Sequence, residues 1–402
     1  MKILYIHQHF STRSGSWGTR SYEMARKLVA RGHQVTMLCG NSTLGHTGVK
    51  GRQPVNRGNV EGIDVILLHL PYSNYDNFVK RSMTFLRFSF RSAKIVLTED
   101  YDMVFATTTP LTTAIPGIIA KYFRRKPFVF EVRDLWPELP KAMGVIKNPV
   151  ILGGMAVLEY LSYRAADRLI GLAPGIVEGI KRIKGKNADV AMISNCCDTD
   201  LFMPGIGDRS LIPGVSKDDL LAIFTGAHGM ANGLDAVLDV AVELKQRGIG
   251  DIKFLFIGDG KLKPALMARK EQEGLDNCIF MDPVMKTELA MILATADVGL
   301  MILANVSAFY YGTSPNKFFD YIASGLPVIN NYPGWLADMI NTYQFGIVVP
   351  PGYPNKFADA LEYMADNRIQ LREMSRKARK LAESKFNRDE LSNRFAEFLE
   401  KM

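Results

Sequence analysis

The stretch Ser314-Pro315-Asn316-Lys317-Phe318-Phe319-Asp320-Tyr321-Ile322-Ala323-Ser324-Gly325-Leu326-Pro327-Val328 carries ionic side chains at a spacing suited to holding an anion. Ser314 suits a helix N-cap and Pro315 the first helical position, which puts Lys317 in the first turn and Asp320 one turn later on the same face. Gly325 ends such a helix, and Pro327-Val328-Ile329 opens a buried strand. A plain exposed Lys317/Asp320 pair explains the arrangement poorly. A cation in the first turn opposes the helix dipole, and Lys ahead of Asp is the weaker order for a side-chain pair. A phosphate seated on the free amides of Asn316 and its neighbours explains it better, with Lys317 neutralising the charge and Asp320 accepting hydrogen bonds from a sugar diol. The pattern predicts a nucleotide-diphosphate site.

Other loops hold groups of similar kind. After the run Ile3-Leu4-Tyr5-Ile6 come His7-Gln8-His9-Phe10 and then Gly15-Ser16-Trp17-Gly18-Thr19-Arg20, where glycines permit close backbone approach to a ligand or simply a tight connection. A nicotinamide dinucleotide is disfavoured, because GxGxxG is absent and the second strand ends in Cys39-Gly40 with no acid for a ribose. The apolar run Phe128-Val129-Phe130-Glu131-Val132 empties into Arg133-Asp134-Leu135-Trp136-Pro137-Glu138. Strand ends face the ligand crevice in open α/β sheets, so Arg133, Asp134 and Glu138 are candidates for chemistry; the plainer alternative is an Arg133–Asp134 pair or a cap. Further on, Gly226-Ala227-His228-Gly229-Met230-Ala231-Asn232-Gly233 and Gly258-Asp259-Gly260 each follow a strand. Gly226, His228, Asn232 and Gly258 would share one ligand with Lys317.

The stretch 78–97 contains Lys80, Arg81, Arg87, Arg91 and Lys94 and no acid. At helical spacing Lys80, Arg87, Arg91 and Lys94 line one face, opposite Phe78, Val79, Met83, Phe85, Leu86, Phe90 and Ala93. Such a helix either packs an ordinary core with its basic side in solvent or lies in a membrane interface and attracts anionic lipid.

The elements that must position these groups follow from alternation. Apolar runs at 2–6, 34–38, 65–68, 103–106, 128–132, 168–171 and 190–193 interleave with helical patterns, which predicts a parallel sheet covered on both faces. Past a stretch rich in Pro and Gly at 204–214, the alternation resumes at 221–224, 253–257, 278–281, 298–301, 328–330 and 347–349. The chain thus reads as α/β with two Rossmann-like domains: 1–205, then 206–385, with 386–402 as a helix packing back on the first. From Asn355 onward the pattern is helical. With 402 residues, 47% hydrophobic and 22% charged, the composition supports two folded domains rather than disorder. Four cysteines, Cys39, Cys196, Cys197 and Cys278, suit a reducing compartment and supply no CxxC metal pair. No apolar run is long enough to span a membrane, and the start lacks a signal-peptide pattern, so a cytoplasmic place is expected. The net charge of +8 favours an anionic partner. No nucleic-acid motif accompanies it.

Four segments together resemble a known family: the 15–20 loop with Glu23 and Gly32-His33-Gln34-Val35; Arg133-Asp134-Leu135-Trp136-Pro137-Glu138; Ser194-Asn195-Cys196-Cys197-Asp198-Thr199-Asp200-Leu201-Phe202; and 315–327. Over nearly its full length the chain resembles the retaining glycosyltransferases of family four, with the GT-B fold of two Rossmann-like domains facing a cleft. Within them it is most similar to bacterial O-antigen and capsule amino-sugar transferases of the fucosamine type. The resemblance implies a UDP-sugar donor on the second domain, an acceptor on the first, and no metal or other cofactor. It makes Lys317 the helix-entry lysine and Asp320 the ribose-binding acid, with Gly15, Gly18, Arg20, Ser314, Pro315 and Asn316 around the donor.

Three positions depart from the family pattern. Gly312 stands where the first acid of a Glu-x7-Glu pair belongs, His228 and Asn232 replace the Arg and Lys of the phosphate loop, and Arg133 occupies the place of a histidine. The activity implied is transfer of a sugar, N-acetylated, from UDP to a polyprenyl-diphosphate-linked or other lipid-linked saccharide in surface polysaccharide assembly, at the inner face of the cell membrane. Lys317, the helix N-terminus and Arg20 would stabilise the leaving diphosphate, while Asp134 or Glu138 orients the acceptor. Two alternatives remain open: a UDP-sugar 2-epimerase of the same architecture, and a non-catalytic protein that binds a nucleotide or glycan.

Overall fold

Apolar runs bounded by turns become strands buried on both faces, and the spacers between them become the covering helices. The computed structural model describes residues 1–42, 46–73, 75–205 and 207–402, with no side-chain detail at Ser42 and Leu211. It divides into two units, one of residues 1–195, 311–314 and 389–402, the other of 196–310 and 315–388. Ile206, inside the Pro/Gly stretch expected to join the domains, lies outside the described residues.

The first unit begins with β1 (Lys2–Ile6), α1 (Arg20–Ala30), β2 (Gln34–Ser42), β3 (Val55–Val60), β4 (Ile63–Tyr72) and α2 (Phe78–Thr98). It continues with β5 (Met103–Thr107), α3 (Ala114–Phe123), β6 (Phe128–Val132), α4 (Glu138–Ala142), α5 (Pro149–Ala165), β7 (Arg168–Gly171), α6 (Pro174–Lys184) and β8 (Val190–Met192). Its sheet runs β3-β4-β2-β1-β5-β6-β7-β8. The β3–β4 pair is an antiparallel hairpin on an otherwise parallel sheet. Strand β3 escapes a search for apolar runs because Val55-Asn56-Arg57-Gly58-Asn59-Val60 is polar, with no buried position, as befits an edge. The chain reverses its direction across the sheet between β1 and β5, so the ligand crevice of this unit belongs at their carboxyl ends. Right-handed crossovers put α2, α3, α5 and α6 on one side and α1 on the other.

In the second unit come β9 (Leu220–Thr225), α7 (Asp235–Gln246), β10 (Ile252–Ile257), α8 (Lys263–Glu273), β11 (Cys278–Met281), α9 (Lys286–Leu293) and β12 (Val298–Met301). Next are α10 (Asn316–Ala323), β13 (Val328–Asn330), α11 (Trp335–Tyr343), β14 (Gly346–Val348), α12 (Pro354–Asp366) and α13 (Arg368–Lys385). The sheet order β11-β10-β9-β12-β13-β14 is parallel throughout and reverses between β9 and β12. Phe224, Leu238, Phe254 and Phe357 pack its core. The chain closes with α14 (Arg388–Glu400), whose residues from Asp389 belong to the first unit. There Glu400 pairs with Arg31, at the C-cap of α1, at 2.7 Å, and Phe395 packs on Phe105 at 5.0 Å between ring centroids.

Candidate active site

The second unit gathers its polar groups at the β9/β12 reversal. Helix α10 starts at Asn316 with Pro315 at the N-cap, not at Ser314 as the sequence suggests, and no side chain caps it. Ser314 lies in the first unit, where its Oγ accepts the Asn195 N–H at 3.0 Å, so that hydroxyl is engaged elsewhere. The free amides at the start of α10 carry the positive end of the helix dipole. Lys317 sits in that first turn. Its ammonium donates to Asn232 Oδ1 at 2.7 Å and lies 3.8 Å from the Phe224 ring centroid. Asn232 Nδ2 donates to the Ala227 carbonyl at 2.6 Å, which turns the amide oxygen toward the lysine. Both partners are neutral, and burial drives the Lys317 pKa well down. An arriving anion would reverse that shift.

Two glycine loops support the lysine. A Cβ on Gly226 would stand 3.7 Å from Lys317 Nζ, and one on Gly258 would strike the Gly226 carbonyl at 1.8 Å, so only glycine fits at 258 with its φ of +150°. The loops zip together beyond the sheet, as Gly226 N donates to Ile257 O and His228 N to Asp259 O, both at 2.9 Å. Gly226, Asn232, Gly258 and Lys317 are therefore neighbours. The His228 ring is not part of their polar surface. It is fully buried among Phe224, Phe256 and Phe280, neither nitrogen has a hydrogen-bond partner, and burial followed by Lys263 and Lys317 lowers its pKa to about 4. It offers backbone, and no cation, to a phosphate.

Asp320 does not pair with Lys317. Its Oδ2 accepts from Lys286 of α9 at 2.7 Å, and burial raises its pKa against the pull of that lysine. Nothing in the sequence marks Lys286 as its partner, since the two meet only through the fold.

In the first unit the ends of β1, β5 and β6 bring His7, Thr109, Arg133 and Asp134 to the expected crevice. Arg133 Nη1 lies 3.3 Å from His7 Nε2, whose ring is held from its other side by Ser21 Oγ at 2.7 Å. Thr109 Oγ1 donates to Asp134 Oδ2 at 3.1 Å. Burial raises the Asp134 pKa, opposed by that bond and by Arg133. His7 is pushed well below its usual range, and His9 to about 3, by burial first and Arg133 second, so both rings stay neutral. His9 contacts Trp17 of the 15–20 loop and Tyr72 of β4, with ring centroids 5.0 and 4.7 Å away. Thr109 was missed from sequence, although Thr107-Thr108-Thr109 at the end of a buried run was a signal for it.

Arg20 and Glu138 do other work than their sequence context suggests. Arg20 is buried, donates to Glu131 Oε2 at 2.7 and 3.0 Å, and also binds the carbonyls of Ile193 and Ser194. Its guanidinium braces the 193–194 segment rather than standing open to a diphosphate. Glycine loop residues 15 and 18 form the turn ahead of it, with Gly15 N donating to Thr12 O at 3.1 Å. Glu138 begins α4 in an exposed pair with Arg182 at 3.2 Å, and its charge is felt by Glu159.

Helix α2 also departs from expectation. Phe78, Val79, Met83, Leu86 and Phe90 point outward among the cations, while the buried seam is Thr84, Phe88, Ser89, Ser92, Ala93 and Val96. Small residues there let α3 approach closely. Arg87, Arg91 and Lys94 are exposed, Lys80 pairs with Asp76 at 2.6 Å, and Arg81 turns inward toward Tyr72 and His9.

Comparison with known proteins agrees with this architecture. Residues 15–196 match the family described as glycosyl transferase 4-like domain, and residues 220–367 match the glycosyl transferases group 1. The chain belongs to the glycosyltransferases of GT-B type. Among solved structures, sucrose-phosphate synthase from Thermosynechococcus elongatus superposes with a TM-score of 0.77 at 17% identity, covering 100% of this chain and 98% of that one. HepE of Anabaena in complex with UDP gives 0.72 at 14%, covering 100% of both. WaaG, a glycosyltransferase involved in lipopolysaccharide biosynthesis, gives 0.64 at 15%, covering 98% of both. At such identities the likeness speaks to fold alone. No curated protein matches in sequence.

Proposed function

We propose that the chain moves a sugar, N-acetylated, from a UDP-sugar to a lipid-linked saccharide, with retention at the anomeric carbon. The fucosamine-type O-antigen and capsule transferases, which the sequence resembles, are the functional analogy. The observation that carries the reading is the Lys317 ammonium, desolvated and held by neutral partners at an uncapped helix start. Folding gains little from a cation so placed; a diphosphate gains a full counter-charge. HepE, solved with UDP and with UDP-glucose, supports the donor class.

In the reaction the bond from the anomeric carbon to the diphosphate oxygen breaks and one to the acceptor oxygen forms on the same face. The departing phosphate oxygen takes the acceptor proton, and Lys317 with the amides of α10 meets the charge that develops, so no metal ion is required. Asp134 accepts a hydrogen bond from the acceptor hydroxyl and orients it, with Thr109 holding one carboxylate oxygen and the Arg133 charge close by. Asp320 remains the candidate for the ribose through the oxygen that Lys286 leaves free. The acceptor's lipid is supported by a groove of about 460 Å³ on α2, with Leu70, Pro71, Val79 and Met83 beside Lys80 and Arg87.

A panel of UDP-sugars incubated with and without lipid-linked acceptor tests this by UDP release. One N-acetylated donor should release UDP only when acceptor is present. Release without acceptor, accompanied by epimerised sugar, identifies an epimerase; tight UDP binding with no turnover of any donor identifies a binding protein.

A further inference from the structure

Helix α5 is apolar outward as well as inward, where Leu152, Met155 and Leu158 are half-buried and Ala165 is buried. Its buried positions include Glu159, Ser162 and Tyr163, whereas Val150 is 80% exposed, Val157 59% and Tyr160 51%. Surface helices bury their apolar stripe, and contiguous apolar surface left outward marks a place where something docks. The neighbouring helices extend the surface. Helix α3 packs between α2 and α5 on the same side of the sheet and ends in Tyr122 and Phe123, 63% and 76% exposed, while α2 contributes Phe90 at 64%.

Charge selects the occupant. Helices α2, α3 with the Arg124-Arg125-Lys126 that follows it, and α5 hold ten Lys and Arg and one acid, the buried Glu159. Close ion pairs hold Lys80, with Asp76, and Lys121, with Asp167, while Arg87, Arg91 and Lys94 are exposed. A second copy of the chain would set this positive surface against itself. An anionic bilayer accepts both components, apolar side chains in the acyl boundary and long basic ones snorkelling to phosphate. At 17 residues α5 is shorter than the ~20 needed to cross, and among the described residues no helix is long and apolar enough to do so.

We propose that the outward side of α2, α3 and α5 docks on an anionic lipid bilayer, with Val150, Val157, Tyr160 and Phe123 as its apolar anchors. The proposal deepens the reading of a lipid-linked acceptor and rests on it for purpose, because docking brings the first unit to where such an acceptor resides. Its physical basis, the outward apolar side chains of α5 and the charge around them, stands independently.

Flotation with vesicles of phosphatidylcholine alone or mixed with phosphatidylglycerol tests it, comparing the wild type with the triple variant Val150→Ser, Val157→Ser, Tyr160→Ser. These side chains are outside the donor site and exposed, so UDP affinity should be unchanged and certifies folding. The wild type should float with the anionic vesicles and bind the neutral ones about tenfold less well. The triple variant should lose about tenfold or more on anionic vesicles, since three apolar insertions are removed. Equal binding by both proteins, or none by the wild type, overturns the proposal. A dimer in sedimentation equilibrium that the same substitutions dissociate would also overturn it, by assigning the face to a second copy. Transfer to a water-soluble acceptor analogue separates the two claims: activity there without vesicle binding sinks the docking face alone, and vesicle binding without UDP binding sinks the transferase reading alone.

Discussion

Lys317 and Arg20, the two cations expected to meet a diphosphate, show how differently the fold can use such groups. Arg20 is buried in its own unit, its side chain and that of Glu131 only 1% and 0% exposed, and it also binds two backbone carbonyls. Lys317 is left with an amide oxygen and an aromatic face. Their substitutions should therefore separate. Lys317→Met should lower kcat/KM by the equivalent of about 2–4 kcal/mol, the usual loss for a transition-state charge stabiliser, and leave the urea midpoint unchanged or raised. Arg20→Met strands a buried carboxylate and should cost about 3–5 kcal/mol of folding stability in the same urea titration. A stable, inactive Arg20→Met would give it a role in the donor site after all. Sequence order alone exposed the oddity of Lys317, because a lysine in a first helical turn is unfavourable by itself. Partners distant in sequence, such as Lys286 for Asp320 and Glu131 for Arg20, leave no local trace. The His228 ring was misread for the same reason, since the phenylalanines that enclose it come from three strands.

Runs that bury both faces make most strands readable from sequence, and their carboxyl ends locate the loops at 226–233 and 258–260. Polar edge strand β3 and the outward apolar side of α5 were not readable, because periodicity reports which residues are apolar and not which way they face. Helix α5 also carries a titration. Burial raises the Glu159 carboxyl from 4.5 to about 7, with the Tyr163 hydroxyl at 2.9 Å pulling the other way. A folded pKa above the unfolded one means that stability is whole below the unfolded value and is lost as pH rises through about 7. The loss reaches about 3 kcal/mol at alkaline pH. Glu159→Gln should therefore stabilise the protein at pH above about 8 and have little effect at acid pH, read from urea midpoints across a pH series. A wild type whose midpoint is flat from acid to alkaline pH would contradict it.

Two α/β units, each reversing its strand order beside a glycine loop, make a GT-B glycosyltransferase from a chain that carries no dinucleotide fingerprint. The first unit supplies neutral histidines, an arginine and a raised carboxyl; the second supplies an uncompensated cation and free helix amides. That division was legible at the level of class, because strand runs, loop glycines and the 315–327 segment are local signals. Donor sugar and acceptor were less legible, since Gly312 and Arg133 occupy positions where the family pattern places an acid and a histidine. A crystal structure of the protein with UDP tests the account at its centre. The diphosphate should lie about 3 Å from Lys317 Nζ and from the amides of Asn316 and Lys317, a hydrogen-bonding distance. Diphosphate density remote from the start of α10, with Lys317 still bonded only to Asn232, would contradict it.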